Sequence, residues 1–527
     1  MAPMDQQLFM PYSTTFVLSA VFAIAFVVIL RLKRRNPLGL PYPPGPRLLP
    51  FVGNAFDINP TEPYLTYADW GRQYGGIVYS SLLGQDFIII NSEKVARELV
   101  DQRSTNYSDR PIIATNKLFG MDFNTGLLPY GDEWRLHRKL FHRSFRSEAA
   151  ATYHELHLRK AHQLVLDLLN EPFEVERHVK IFSASVILAA TYGYEVKPHN
   201  DPVVVALEEL VDILAQVMSP EQAALLTAFP FLEHFPAWFP GASFKRSAPH
   251  CQDLVVQVKD VPFDFTKKNV VDGTAATSMV SFLLSQGGGD ESSGHEQSIR
   301  DAAATVFIAG FETTFSTLHT FVLAMLLHPE VQARAQAEID SVTGGTRFPE
   351  FEDRTFLPYV DAVFRETMRW HVVAPLSLPH ATTESDTYNG YFIPKGAIVV
   401  TNIWAMSQDE NRYEDPKLFL PERHLTKDGK LVDEPITGTP PFGFGRRICP
   451  GRFVAEDSVW VAIVSVLAAL RIANARDSEG REIPATESFT TGVAVRPQPF
   501  LCSTTIRSAK IQKQMEESRR ACIRQDC

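Results

Sequence analysis

The stretch Pro441-Phe442-Gly443-Phe444-Gly445-Arg446-Arg447-Ile448-Cys449-Pro450-Gly451-Arg452 carries the reading of this chain. Glycines at 443, 445 and 451 permit backbone conformations and close approaches that other residues forbid. Such a loop can wrap one sulfur and aim backbone N–H groups at it. Arg446, Arg447 and Arg452 favour a thiolate over a thiol, so the Cys449 pKa is expected to fall. From Phe453 to Leu470 the chain reads as a helix, whose N-terminus also favours an anion. A thiolate so placed suits a soft metal or haem iron. The plainer alternative is a buried, inert cysteine beside a glycine turn.

Other patterns lie upstream. In Glu366-Thr367-Met368-Arg369, Glu366 and Arg369 share a helix face and can pair, and Pro421-Glu422-Arg423 supplies a second arginine. In Trp134-Arg135-Leu136-His137-Arg138, a spacing of four puts Trp134 and Arg138 on one face. Ala302 to Leu327 is a 26-residue segment, apolar almost throughout, interrupted by Glu312, Thr313, Thr314 and His319. Length alone admits a membrane span, but a carboxylate at the bilayer centre costs about 3 kcal/mol or more. The alternative is a long helix through a soluble domain, its polar residues facing an internal cavity. Periodicity leaves both readings open.

Phe442-Gly443-x-Gly445-x-Arg447-x-Cys449-x-Gly451 resembles the haem-binding signature of the cytochrome P450 monooxygenases, a match at six fixed positions. The resemblance implies a mainly α fold with small β-sheets and a haem b held without covalent attachment. It makes Cys449 the axial ligand and Arg447 a propionate contact, within a cofactor-binding loop that includes Phe442 and Gly451. Trp134-x-x-x-Arg138 resembles the family's second propionate motif, and His380 in Leu378-Pro379-His380 matches a further propionate donor. Glu366, Arg369 and Arg423 resemble the family's structural triad; His424 stands where phenylalanine is common. Ala309-Gly310-Phe311-Glu312-Thr313-Thr314 resembles the oxygen-activating pattern, which makes the apolar segment a central helix and Glu312 and Thr313 the proton-delivering pair. An ordinary cavity-facing threonine is the plainer reading of Thr313.

The implied reaction is insertion of one oxygen atom of O2 into an apolar small molecule, since a thiolate ligand favours O–O cleavage. No flavin or nicotinamide fingerprint is evident, so the resemblance implies electrons from an NADPH-cytochrome P450 reductase, with cytochrome b5 as an additional donor. The basic run Arg135, His137, Arg138, Lys139, His142, Arg143 and Arg146, with Arg446 and Arg452, is expected to steer an acidic reductase, unless it is only a solvated face. By family position the substrate pocket falls to Phe119, Phe123, Phe307, Phe311, Val372, Val373, Leu376 and Val493, with no fixed charge evident. Ala237-Trp238-Phe239-Pro240-Gly241 and Tyr391-Phe392-Ile393-Pro394-Lys395-Gly396 are similar to fungal microsomal members of secondary metabolism, which points to a terpenoid first. A haem-thiolate isomerase or dehydratase without O2 use and a non-catalytic membrane haem-binding protein are the rival readings. The Glu312-Thr313 pair argues against both.

At the N-terminus, Leu8 to Leu30 carries no charge and is long enough to span a bilayer, for which about 20 apolar residues suffice. Arg31, Lys33, Arg34 and Arg35 follow it, so the positive-inside rule keeps the remainder in the cytosol. The basic residues lie after the apolar run, which favours an uncleaved anchor in the endoplasmic reticulum membrane over a cleaved signal peptide. The chain then divides into an anchor (1–35), a proline-rich linker (36–50), a haem-binding body (51–507) and a polar tail (508–527) bearing Cys522 and Cys527. Aromatic residues between Phe229 and Phe244 suit a membrane-facing entrance or core packing equally.

In 527 residues there are 51 Lys plus Arg against 61 Asp plus Glu, a net charge of −10. That balance lacks the basic footprint of a nucleic-acid binder. Five widely spaced cysteines with no C-x-x-C pair exclude a zinc ribbon or a disulfide scaffold.

Overall fold

Isoleucines and valines dominate β1 (Ile77–Leu82) and β2 (Gln85–Ile90), residue types suited to a pleated, half-buried surface. The two close a hairpin through Leu83 and Gly84, both at positive φ, the twist a two-residue β-turn needs. A four-stranded sheet in the order β1-β2-β6-β3 forms as β2 pairs in parallel with β6 (Ile398–Thr401), which pairs antiparallel with β3 (His380–Ala381). Two small antiparallel ladders complete the β-structure, β4 (Asp386–Tyr388) with β5 (Tyr391–Ile393) and β7 (Leu470–Asn474) with β8 (Cys502–Ile506). The computed structural model describes residues 36–217, 235, 237, 243–286, 293–508 and 510–513. The expected anchor, most of the 229–244 aromatic stretch, and Cys522 and Cys527 lie outside them.

Helices make up most of the body. They are α1 (Pro63–Tyr74), α2 (Asp132–Phe145), α3 (His154–Asn170), α4 (Val175–Tyr192), α5 (Pro202–Val217), α6 (Ala248–Val271), α7 (Met279–Gln286), α8 (Ser293–Leu327), α9 (Pro329–Thr343), α10 (Pro358–Trp370) and α11 (Arg452–Ala469). Prolines sit at the start of α1, α9 and α10, where a missing N–H costs nothing. The 35-residue α8 is apolar on every side, and α2, α4, α10 and α11 all pack against it. It is therefore a core helix of a mainly helical domain and not a second membrane span. Gly310 permits the α4 crossing, since a Cβ there would lie 2.4 Å from Ile187 Cγ1.

One core joins α3, α4 and α8–α11 around Trp460, Phe315, Phe321 and Phe364. A second joins α4–α8 around Tyr192, Phe263, Phe307 and Phe311. Each fully buried phenylalanine contributes about 1.5–3 kcal/mol. The proline-rich segment is docked on the sheet. Pro41 and Pro44 carbonyls accept from the Phe392 (2.8 Å) and Tyr79 (3.1 Å) N–H groups, and Tyr42 stacks on Tyr79 at 4.5 Å. At the other end Ile511 is buried in the first core, so packing extends into the expected tail.

Candidate active site

The cysteine loop is fixed by its glycines. Gly443 and Gly445 take φ of 76° and 61°, and a Cβ on Gly445 would lie 2.1 Å from the Val100 carbonyl oxygen. Gly445 N–H donates to Asp101, and Cys449 N–H donates to the Phe442 carbonyl at 2.8 Å, closing the loop around the buried Phe442 ring. Gly451 caps α11 and aims its N–H at Cys449. Burial pushes the Cys449 thiol up; the Gly451 N–H and the charges of Arg138 and Arg452 oppose it without prevailing. The expected fall is thus corrected. Arg446 faces solvent and bonds Tyr130 and Thr105, while Arg447 is committed elsewhere.

Arg447 donates from Nε to Ser108 O (2.8 Å) and from Nη2 to Leu128 O (2.8 Å), with its guanidinium 4.5 Å from the centre of the Trp134 ring. Arg138 lies on another side of Trp134 at 5.9 Å and donates to Ile448 O (2.8 Å), the residue before Cys449. His380 donates from Nδ1 to Tyr107 O at 2.6 Å. The structure therefore brings Trp134, Arg138, His380 and Arg447 together with the cysteine loop.

It adds Arg110, which sequence reading missed. Arg110 is buried, donates to the Gly126 (2.8 Å), Leu378 (2.6 Å) and Pro379 (2.8 Å) carbonyls, and lies close enough to Arg447 to feel its charge. Burial holds Arg110 and His380 well below their ordinary values, lowers Arg138, and brings Arg447 down to about 10. A guanidinium does not give up its proton in a protein, so this pressure is a demand for an anion. Among the described residues the carboxylate that acts on Arg110 and Arg447 is Asp109, whose Oδ1 accepts backbone N–H bonds from Arg110 and Tyr130. A cofactor bearing two carboxylates, as haem b does, fits this donor set.

On α8, Ala309 and Thr313 are exposed although they sit midway along a buried helix, so this face borders a cavity. Thr313 Oγ1 donates to the Ala309 carbonyl at 2.8 Å, a bond that competes with the helix ladder. Phe307 and Phe311 lie on other faces, wholly buried with Phe119 and Phe123 in the second core. Phe307 meets Tyr192 edge-on at 6.3 Å. Val372 is buried, Val373 and Leu376 are partly buried, and Val493 is exposed. Glu312 is buried and paired with Arg496, whose Nη1 lies 2.5 Å from Oε1. A fixed charge pair thus stands beside the α8 face, where sequence reading saw none.

Glu366, Arg369 and Arg423 converge as expected. Arg369 donates to both Glu366 oxygens (2.8 and 2.7 Å), and Arg423 Nε to Oε1 (3.1 Å). The basic run divides. His137 is buried against Thr125 (2.8 Å) and Arg138 points inward, whereas Lys139, His142, Arg143 and Arg146 are exposed.

The family model "Cytochrome P450" matches residues 43–503. Cytochrome P450 monooxygenase 136 of Postia placenta is 39% identical over 503 residues, covering 94% of this chain and 93% of its own. Cytochrome P450 monooxygenase COX1 of Coprinopsis cinerea is 37% identical over 513 residues (94% and 98%). Cytochrome P450 monooxygenase ple1 of Rhodocybe pseudopiperita is 37% identical over 528 residues (99% and 98%). Members of this family bind haem b through a cysteine thiolate. With the match spanning nearly the whole body, the chain belongs to the cytochrome P450 monooxygenase family.

Proposed function

We propose that Cys449 is the axial thiolate of a haem b whose propionates are received by Arg110, Arg138 and Arg447, with Trp134 and His380 bracing them. The observation that carries this reading is the buried guanidinium cluster beside the cysteine loop, with Asp109 as its neighbouring carboxylate. Bound haem supplies the activation of O2, and a thiolate ligand favours O–O cleavage. The chain's own residues do the rest. The Gly451 N–H and the α11 N-terminus hold negative charge on the Cys449 sulfur. Thr313 Oγ1 and the Glu312 carboxylate hold and pass protons from the α8 face. Ala309 leaves room there for an apolar substrate, with Val372, Val373 and Leu376 as further wall.

The substrate in this reading is an apolar small molecule, with a terpenoid as the first class to screen. Electrons come from an NADPH-cytochrome P450 reductase, and cytochrome b5 serves as a second donor. Exposed Lys139, Arg143, Arg146 and Arg446 supply the positive face for docking. Residues 1–35 anchor the enzyme in the endoplasmic reticulum membrane, with the body cytosolic.

The test is the reduced, carbon monoxide-bound difference spectrum of membrane-expressed protein beside Cys449→Ser. A strongly red-shifted Soret band that vanishes in the variant is expected. Haem incorporation without that band would remove Cys449 as thiolate ligand.

A further inference from the structure

Glu312 is turned away from Thr313. Successive helix residues diverge by about 100°, and the two side chains bond in different directions. Thr313 Oγ1 donates to Ala309 O, whereas Glu312 Oε1 accepts from Arg496 Nη1 (2.5 Å) and Ser316 Oγ (3.4 Å). Arg496 comes from the irregular segment between β7 and β8. There Arg496 N–H donates to Thr490 Oγ1 (3.1 Å), Thr490 N–H donates to Arg496 O (2.8 Å), and Val495 N–H donates to Val373 O (2.7 Å). Arg496 Nη2 lies 3.9 Å from Asp212 of α5. One guanidinium therefore stands between a buried acid, 11% exposed, and a solvent-facing acid, 67% exposed. The other charged or titratable groups facing this junction are Glu176 and Lys180 of α4, Glu208 of α5 and His319 of α8.

A protonated carboxyl cannot form a charge-assisted bond with a guanidinium, so pairing and proton loading of Glu312 exclude each other. Asp212 offers Arg496 an alternative acceptor within reach. We propose that Arg496 is a positioning residue that holds Glu312 ionised and directed toward Asp212, and that Glu312 loads a proton for Thr313 only when this ion pair opens. The proton comes from water at the Asp212 end, binds a Glu312 carboxylate oxygen, and leaves inward through the Thr313 hydroxyl. Glu312 is then ionised again and re-forms the pair. Arg496 keeps its charge throughout and no electron moves. The proposal rests on Glu312 being the proton-delivering acid of the preceding section.

The experiment is infrared difference spectroscopy on the haem-loaded enzyme across pH, with the protonated-carboxyl band of Glu312 assigned by its loss in Glu312→Gln. In Arg496→Gln the band is expected to appear at a pH about one unit higher than in the parent, as removal of an adjacent opposite charge requires. Arg496→Lys, which keeps the charge, should return most of the way to the parent. The pH profile of reductase-driven NADPH consumption should move by the same amount in Arg496→Gln. A band unmoved in Arg496→Gln, or a moved band with an unmoved profile, overturns the proposal. If instead Glu312→Gln keeps the parent's profile, it is the role of Glu312 itself that fails.

Discussion

His424 Nε2 lies 2.9 Å from Oε2 of Glu366, so the carboxylate at the centre of the α10 cluster has a fourth side-chain partner besides Arg369 and Arg423. The Leu420 N–H adds a 2.8 Å bond to Oε1. Burial pushes this carboxyl up, yet the hydrogen bonds from Arg369 and His424 outweigh it and hold Glu366 at about 2. A folded-state value below the ordinary 4.5 means stability that is fully present above 4.5 and is lost as pH falls toward 2. Glu366→Gln leaves two buried guanidiniums unpaired and is expected to cost about 3–5 kcal/mol. His424→Phe removes one bond and should cost about 1–2 kcal/mol. Denaturant titration of both variants checks this; a Glu366→Gln cost below about 1 kcal/mol would remove the cluster from the fold's supports.

Arg110 gives a test that separates folding from cofactor retention. Its guanidinium bonds backbone carbonyls only and sits beside Arg447, so Arg110→Met removes a buried charge lacking a carboxylate partner. Replacing such a charge by an apolar side chain is often neutral or stabilising. The apoprotein's stability should therefore hold or rise. Haem release to an acceptor protein should accelerate about tenfold or more, the loss of one charge-assisted hydrogen bond. Unchanged release kinetics would take Arg110 out of the propionate site.

What the sequence shows and hides here has a physical pattern. The cysteine loop, α11 and the Glu366–Arg369 pair are legible because glycine backbone demands and i to i+3 spacings are local. The α8 helix is legible as a helix, but being apolar all round it gives periodicity no phase. Phe307 and Phe311 were thus assigned to the pocket, whereas the exposed face belongs to Ala309 and Thr313. Arg110 and Arg496 escaped because an arginine reads as surface until the fold buries it. Arg496 meets its partner across 184 positions, from a segment with no regular structure. His424 looked like a trivial exchange of one ring for another, and only the three-dimensional contact with Glu366 shows its hydrogen bond.

His157 sets the acid limit of stability above the range where Glu366 acts. It is wholly buried in α3, neither ring nitrogen has a hydrogen-bond partner among the described residues, and its nearest ring contact is Tyr153 at 6.3 Å. Burial, with a smaller push from His154, drives its pKa from 6.5 down to about 3. The unfolded chain therefore takes up a proton below pH 6.5 that the folded chain refuses. Stability falls as pH drops through that window, by about 1.4 kcal/mol per pH unit for one such group, and levels only near the folded value. His319, pushed by burial to about 4, adds a parallel loss between 6.5 and 4. His157→Leu keeps an apolar side chain in the site and should lower the slope of stability against pH by one proton's worth between pH 6 and 4. His319 keeps that slope above zero, and a double replacement should take out both contributions. Urea titrations at several pH values measure the slope directly. If His157→Leu leaves it unchanged, the acid sensitivity arises elsewhere and His157 is protonated within the fold.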